Sequence, residues 1–95
     1  MEKLTIEEAR ELAKSIALQI SNQSLSEYAG ARKIWTEIID NIEGNCPDYL
    51  WAFKSNASAI EDIIWNADQG GAKNEPLIRE CEQEIRKAAK ELINL

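Results

Sequence analysis

The sequence predicts an all-α fold, an antiparallel bundle of about four helices. Apolar residues recur every three or four positions in four separate stretches, which is the period of an amphipathic helix. Short polar or glycine-containing breaks separate these stretches, and no strand or hairpin signal interrupts them. The 95 residues fit a single domain, 1–95, because independent cores usually need about a hundred residues each.

The first helix is predicted from about Ile6 to Ser21. Thr5 and Glu8 have the spacing of a capping box, in which each side chain accepts a hydrogen bond from the other residue's backbone amide. One apolar stripe is expected to be buried, and it consists of Ala9, Leu12, Ala13, Ile16, Ala17 and Ile20.

The second helix follows a polar break at residues 22–23. Ser24 and Glu27 have the spacing of a second capping box, and Gly44 suits the left-handed residue that ends a helix. Gly30 lies inside this helix, where glycine is less favourable than alanine. It indicates either close approach of another helix or a loss of helix stability that the fold tolerates. The predicted apolar positions are Leu25, Tyr28, Ala31, Ile34, Trp35, Ile38, Ile39 and Ile42, so Trp35 is expected in the core.

The third element covers residues 47–68, with Pro47 suited to the first turn and a break at residues 70–71. Ser55 and Asn56 both favour cap positions, so the element is either one helix or a short helix followed by a longer one. Its predicted apolar face consists of Tyr49, Leu50, Phe53, Ala57, Ile60, Ile63, Ile64 and Ala67.

The last helix is predicted to begin after Asn74 as its cap, with Pro76 in the first turn, and to run to about Ile93. Its apolar face is predicted to consist of Leu77, Ile78, Cys81, Ile85, Ala88, Ala89 and Leu92.

The residue inventory argues against enzyme chemistry, cofactors and metal sites. The sequence has no histidine, no Cys-x-x-Cys motif and no phosphate-binding glycine loop. Acidic pairs such as Glu7-Glu8 and Glu61-Asp62 lie mostly outside the apolar stripes, so they are predicted to form solvated helix faces. Cys81 is expected in the core, and Cys46, in a turn beside Pro47, is expected to be more exposed to chemistry. A reactive thiol normally needs a basic neighbour or a helix N-terminus to lower its pKa, so neither cysteine is predicted to have a redox or nucleophilic role.

Features of targeting and composition favour a cytoplasmic protein. The N-terminal residues lead into a charged amphipathic stretch without the apolar region of a signal peptide. No run approaches the roughly 18 apolar residues that span a bilayer. Two cysteines fit a reducing compartment better than a disulfide framework.

The net charge of −6, from 17 acidic and 11 basic residues, bears on possible partners. An acidic surface disfavours direct binding to nucleic acid, where affinity comes from lysine and arginine. It favours a basic partner, whose encounter it would accelerate through long-range attraction. Solubility alone is the other explanation of the charge.

The candidate partner-binding face lies on the third element, if that element is one helix. Trp51, Ser55, Ser58, Asp62 and Trp65 then fall on one side, nearly opposite the apolar stripe. Asp48, Asp62 and Asp68 place negative charge beside the two tryptophans, which suits arginine because it pairs with carboxylates and stacks on indole. Two alternatives remain: a helix break would put Trp51 in the core, or the loop 69–76 would cover both rings.

Three segments carry a resemblance to known proteins: YAGARKIW at residues 28–35, Phe53 followed by ASAIED at 57–62, and IRKAAKEL at 85–92. Together they span roughly residues 25–93. The chain resembles a family of short, uncharacterised bacterial helical proteins with YxGAxxIW and ASxxED patterns. The resemblance implies a helical fold and a bacterial origin, and it assigns no functional residue.

In size, acidity and helical content the chain also resembles bacterial immunity proteins that neutralise toxins. The leading hypothesis is therefore a protein-binding module of the immunity or antitoxin type, acting on a basic toxin domain through the tryptophan face. The alternative is a structural or regulatory protein that forms a homodimer through the same face.

Overall fold

The computed structural model describes residues 3–68, 70 and 74–95, and these form four α-helices. They are α1 (Ile6–Ser21), α2 (Glu27–Lys33), α3 (Asp48–Asp68) and α4 (Glu75–Ile93). A π-helical segment (Ile34–Ile38) and a 3₁₀ turn (Ile39–Asn41) continue α2. Helix α4 packs against α1 and α3, and α2 packs against α3, so the predicted all-α bundle is confirmed.

Helix α1 has the predicted bounds and the predicted cap. The Oγ1 atom of Thr5 accepts a hydrogen bond of 3.1 Å from the Glu8 amide, and the Glu8 carboxylate accepts one of 3.1 Å from the Thr5 amide. The predicted stripe is buried except for Leu12, which is 48% exposed. At 100° per residue Leu12 lies at the edge of an arc centred near Ala13 and Ile20, so it falls outside the core.

The N-cap of helix α2 lies two residues later than predicted. It is Ser26, whose Oγ accepts a hydrogen bond of 3.2 Å from the Ala29 amide. The prediction of a Ser24–Glu27 capping box is wrong, because the Ser24 amide donates to Asn22 and the Glu27 carboxylate pairs with a residue of α4. A tertiary ion pair has replaced the local contact that the spacing suggested.

Gly30 marks a close approach of α1 and α2. A Cβ atom built on Gly30 would overlap the Cγ1 and Cδ1 atoms of Ile20, which is only 2% exposed. Of the two explanations that the sequence left open, close helix approach is therefore the one that the structure supports.

The continuation of α2 is irregular, although the sequence pattern predicted one helix up to Gly44. In the π-helical segment the amide of Ile39 donates to the carbonyl of Ile34, five residues earlier. The chain then leaves the 3₁₀ turn, and Gly44 takes a positive φ of 91°. Leu4 forms an isolated β-bridge with Ile42, at the end of this turn. The Leu4 amide donates to the Asn41 carbonyl at 2.6 Å.

Helix α3 is one uninterrupted helix, which answers the question that the sequence left open. Asn56 does not cap a new helix, because its side-chain amide donates to the Ala52 carbonyl at 2.9 Å within α3. Pro47 lies just before the first residue and its carbonyl accepts from the Leu50 amide. The buried residues of α3 are Leu50, Phe53, Ala57 and Ile60.

Helix α4 begins after the predicted cap, since the Asn74 side chain accepts a hydrogen bond of 3.2 Å from the Leu77 amide. Its buried residues are Cys81, Ile85, Ala88, Ala89 and Leu92, all of which were predicted. Ile64 near the end of α3 is 39% exposed and Leu77 near the start of α4 is 40% exposed, against prediction. The last turns of α3 and the first turn of α4 therefore extend past the core.

Candidate functional site

All seven candidate partner-binding residues lie on α3, mostly on its outer surface. Trp51 is 51% exposed and Trp65 is 62% exposed. Ser58 is half-buried, whereas the exposed polar members are Asp48, Ser55, Asp62 and Asp68. The alternative in which a helix break buries Trp51 is wrong. The other alternative, a covering loop, involves residues 69 and 71–73, which lie outside the described residues.

The unbroken helix fixes the spacing of the two tryptophans. Trp51 and Trp65 are fourteen residues apart, so at 1.5 Å per residue they are separated by about 21 Å along the helix axis. Asp62 lies between them, with Asp48 before the first and Asp68 after the second. The face is therefore an elongated surface with an aromatic group towards each end.

Lys54, which sequence reasoning did not assign to the face, lies beside Trp51 and is also close to Trp35. The ammonium nitrogen of Lys54 is 5.2 Å from the centre of the Trp51 ring and 5.8 Å from that of Trp35. Lys54 follows Trp51 by three residues, a spacing that makes neighbours on a helix, so this contact had a sequence signal. The contact between Lys54 and Trp35 had no such signal. A regular helix would have placed Trp35 with the core residues Ile34 and Ile38.

Glu61, next to the candidate Asp62, is bound within the fold, although a solvated face was predicted for this acidic pair. The Tyr28 hydroxyl donates a hydrogen bond of 2.8 Å to its carboxylate, and Arg32 forms an ion pair with it. The hydrogen bond with Tyr28 and the charge of Glu61 raise the pKa of Arg32. Glu61 therefore joins α3 to α2 and is not available as a free acid on the face.

The three aspartates of the candidate face differ from Glu61. Within residues 3–68, 70 and 74–95, no ion pair or side-chain hydrogen bond involves Asp48, Asp62 or Asp68. Their carboxylates are exposed to solvent and carry negative charge without a cationic neighbour in ion-pair contact. The face therefore combines accessible indole rings with uncompensated carboxylates.

A second ion pair joins α4 to α2 on another part of the surface. Arg86 donates to the carboxylate of Glu27, whose side chain is only 15% exposed. The hydrogen bond from Arg86 lowers the pKa of Glu27 and outweighs the opposing effect of burial. This pair holds two helices together and does not belong to the tryptophan face.

Neither cysteine has an activated thiol. Cys81 is buried in the core, as predicted, and Cys46 is half-buried, with its Sγ 3.4 Å from the Pro47 carbonyl. Burial raises the pKa of both thiols, which disfavours the reactive thiolate.

In the described part of the chain, no three acidic or thiol side chains are grouped so that they would hold a metal ion. Among these same residues, no helix is both long and apolar enough to cross a membrane.

The fold and the face together define an all-α bundle with an exposed aromatic and acidic helix surface. Comparisons of the chain with protein-family models, curated protein sequences and solved structures found no match in any of the three. The resemblance at residues 28–35, 57–62 and 85–92 therefore stays a prediction from those short motifs.

Proposed function

We propose that the chain is a small acidic protein-binding module, most concretely an immunity- or antitoxin-like protein that neutralises a basic toxin domain. The observation that carries the proposal is the outer face of α3, where two exposed tryptophans lie among carboxylates without ion-pair partners. The proposal assigns the chain no catalytic residue, cofactor or metal, and it places the protein in the cytoplasm.

The aromatic part of the face supports a protein partner. Tryptophan is among the side chains most enriched at binding hot spots, because it buries a large flat surface and retains a polar N–H group. A separation of about 21 Å between Trp51 and Trp65 suits an interface of ordinary size, which covers about 800 Å² on each partner. A small ligand in a single pocket would not contact both rings.

The charged part of the face supports a basic partner. Asp48, Asp62 and Asp68 add to a net charge of −6, so a cationic surface would be attracted before contact and paired after it. Exposed charges are screened by salt, so this attraction should weaken at high ionic strength. The same charge disfavours direct binding to the phosphates of nucleic acid.

Charge also favours a different protein over a second copy as the occupant. In a twofold-symmetric dimer each surface contacts the same surface of its partner. A homodimer through this face would bring the aspartates of both copies together, and like charges in contact oppose association. A complex with a different protein is therefore favoured, and the experiment must distinguish it from a homodimer.

The test compares tagged wild-type protein with a Trp51→Ala/Trp65→Ala double variant as bait in lysate of the native host. Leu12→Ala/Leu18→Ala is the matched control, because these two α1 residues are 48% and 52% exposed and lie away from the face. Circular dichroism checks that each variant is folded. Captured proteins are then expressed alone and with each bait, and growth of the host cells is measured.

The proposal predicts one basic protein that is toxic alone, is captured less at high salt and is neutralised by wild type and control but not by the double variant. Neutralisation by the double variant would refute the role of the tryptophans. A melting temperature that rises with protein concentration would favour the homodimer, because association stabilises the folded state by mass action.

A further inference from the structure

Lys54 has an unusual environment for a lysine in an acidic protein. Its ammonium nitrogen lies near two indole rings, at 5.2 Å from the Trp51 centre and 5.8 Å from the Trp35 centre. No carboxylate among the described residues forms an ion pair with it, although the chain has 17 acidic residues. Aromatic rings, and not an acid, therefore hold this cation.

The two rings come from different elements. Trp51 belongs to the first turn of α3, whereas Trp35 belongs to the π-helical segment that continues α2. Trp35 is half-buried and packs against the core, so its position is fixed by the fold. The half-buried Lys54 side chain ends between the two elements, where both rings are accessible to its ammonium group.

We propose that Trp35 and Trp51 form an arginine-binding subsite of the α3 face, and that Lys54 occupies this subsite in the free protein as a displaceable cation. The inference rests on the proposed function, since it names the partner group that the face recognises. A guanidinium is planar and less strongly hydrated than an ammonium, so it stacks on indole better than Lys54 does. The lysine side chain is flexible and its ammonium is favourably hydrated once it is released.

Asp48 completes the arrangement on the other side of Trp51. It precedes Trp51 by three residues and Lys54 follows Trp51 by three, so both are helix neighbours of the ring. An arginine stacked on Trp51 would have the exposed Asp48 carboxylate as a hydrogen-bond acceptor for its guanidinium. A partner lysine gains less, because it replaces one ammonium by another. The cost of displacing Lys54 is the same for either cation, so the preference for arginine over lysine comes from the indole rings and Asp48.

The experiment uses Lys54→Met, which keeps a long apolar side chain and removes the competing charge. Lys87→Met, on an exposed position of α4, is the control with the same change in net charge. The probes are two synthetic peptides of identical sequence except for one central arginine or lysine. Titrations are followed by the NMR signals of the three indole N–H groups, Trp35, Trp51 and Trp65.

The arginine peptide should shift the Trp35 and Trp51 signals and leave Trp65 nearly unchanged. Lys54→Met should bind it about fivefold more tightly than wild type, the factor that corresponds to losing one exposed cation–π competitor. The control should lie close to wild type, and the lysine peptide should bind more weakly to each form.

If Lys54→Met and the control gain equally in affinity for the arginine peptide, the cause is net charge, and Lys54 is not a displaceable cation in the subsite. If the arginine peptide shifts neither the Trp35 nor the Trp51 NMR signal in any form of the protein, the proposed subsite is refuted. The two proposals also fail separately. A subsite that binds the arginine peptide while no toxic partner is captured leaves only the toxin assignment wrong.

Discussion

Replacing Gly30 by alanine tests the close packing of α1 against α2. In an exposed helix interior this change is stabilising, because alanine is favoured over glycine by about 0.8–1.0 kcal/mol. At Gly30 the added methyl group would overlap the side chain of Ile20. The sign of the change in the free energy of unfolding therefore depends on whether Ile20 can move.

Ile20 has little room to move. It is 2% exposed, and in a helix a β-branched side chain strongly prefers one rotamer about its first torsion. Inserting a methyl group into a filled core costs about 1–3 kcal/mol. After subtraction of the gain in helix propensity, Gly30→Ala should destabilise the protein by about 1 kcal/mol, or about 4–8 °C in melting temperature for a chain of this size.

The assay is urea unfolding of Gly30→Ala in two backgrounds, wild type and Ile20→Ala. Because Ile20→Ala removes both overlapping atoms, Gly30→Ala should change sign in that background and stabilise by roughly 0.8–1.0 kcal/mol. Ile20→Ala alone costs about 2–5 kcal/mol. If too little folded protein remains, Ile20→Val removes Cδ1 alone and should give a smaller change in the same direction.

Ala29→Gly, at an exposed neighbour in the same helix, measures the local propensity term directly. A stabilising Gly30→Ala in wild type would show that the two helices are not in close contact. Destabilisation of equal size in both backgrounds would show that Ile20 is not its cause.

Two further predictions concern the polar links between helices. The pKa of Glu27 is lowered from its usual 4.5, so its pairing with Arg86 stabilises the fold above that pH and is lost as the pH falls through the lowered pKa. Arg86→Gln should therefore destabilise the protein near neutral pH and flatten the decline of its unfolding free energy in acid, whereas Arg79→Gln, with the same charge change, should not flatten it. Tyr28→Phe removes the hydrogen bond to Glu61 and should lower the unfolding free energy by about 1 kcal/mol, against little change for Tyr49→Phe, whose hydroxyl has no hydrogen bond in the described region. A pH profile of urea unfolding measures the first effect and thermal melting the second.

The sequence predicted the features that depend on local spacing. The bounds of α1, the Thr5–Glu8 capping box and the Asn74 cap are all set by residues within one turn of each other. The buried faces of α3 and α4 were also predicted in their central parts. The prediction failed near the ends of these helices, as at Ile64, because periodicity does not show how far the neighbouring helices extend.

The errors in and around the site come from contacts between distant parts of the chain. The predicted capping box of Ser24 and Glu27 does not form, because the Glu27 carboxylate pairs with Arg86, 59 residues later. Glu61 was assigned to a solvated face because its partners Tyr28 and Arg32 belong to another helix. The one-helix reading of residues 47–68 was needed for the tryptophan face, and the local cap preferences of Asn56 did not decide it.

The π-helical segment has a consequence for the length of the chain. A turn closed between residues five apart holds one residue more than a regular α-turn. Loss of one residue there, such as Thr36, would close the wide turn to a regular α-turn, while the residues on either side of it kept their places. In a regular α-helix the same loss would rotate every following side chain by about 100° relative to those before it. A single deletion should therefore be tolerated better in this segment than in the uninterrupted helix α3.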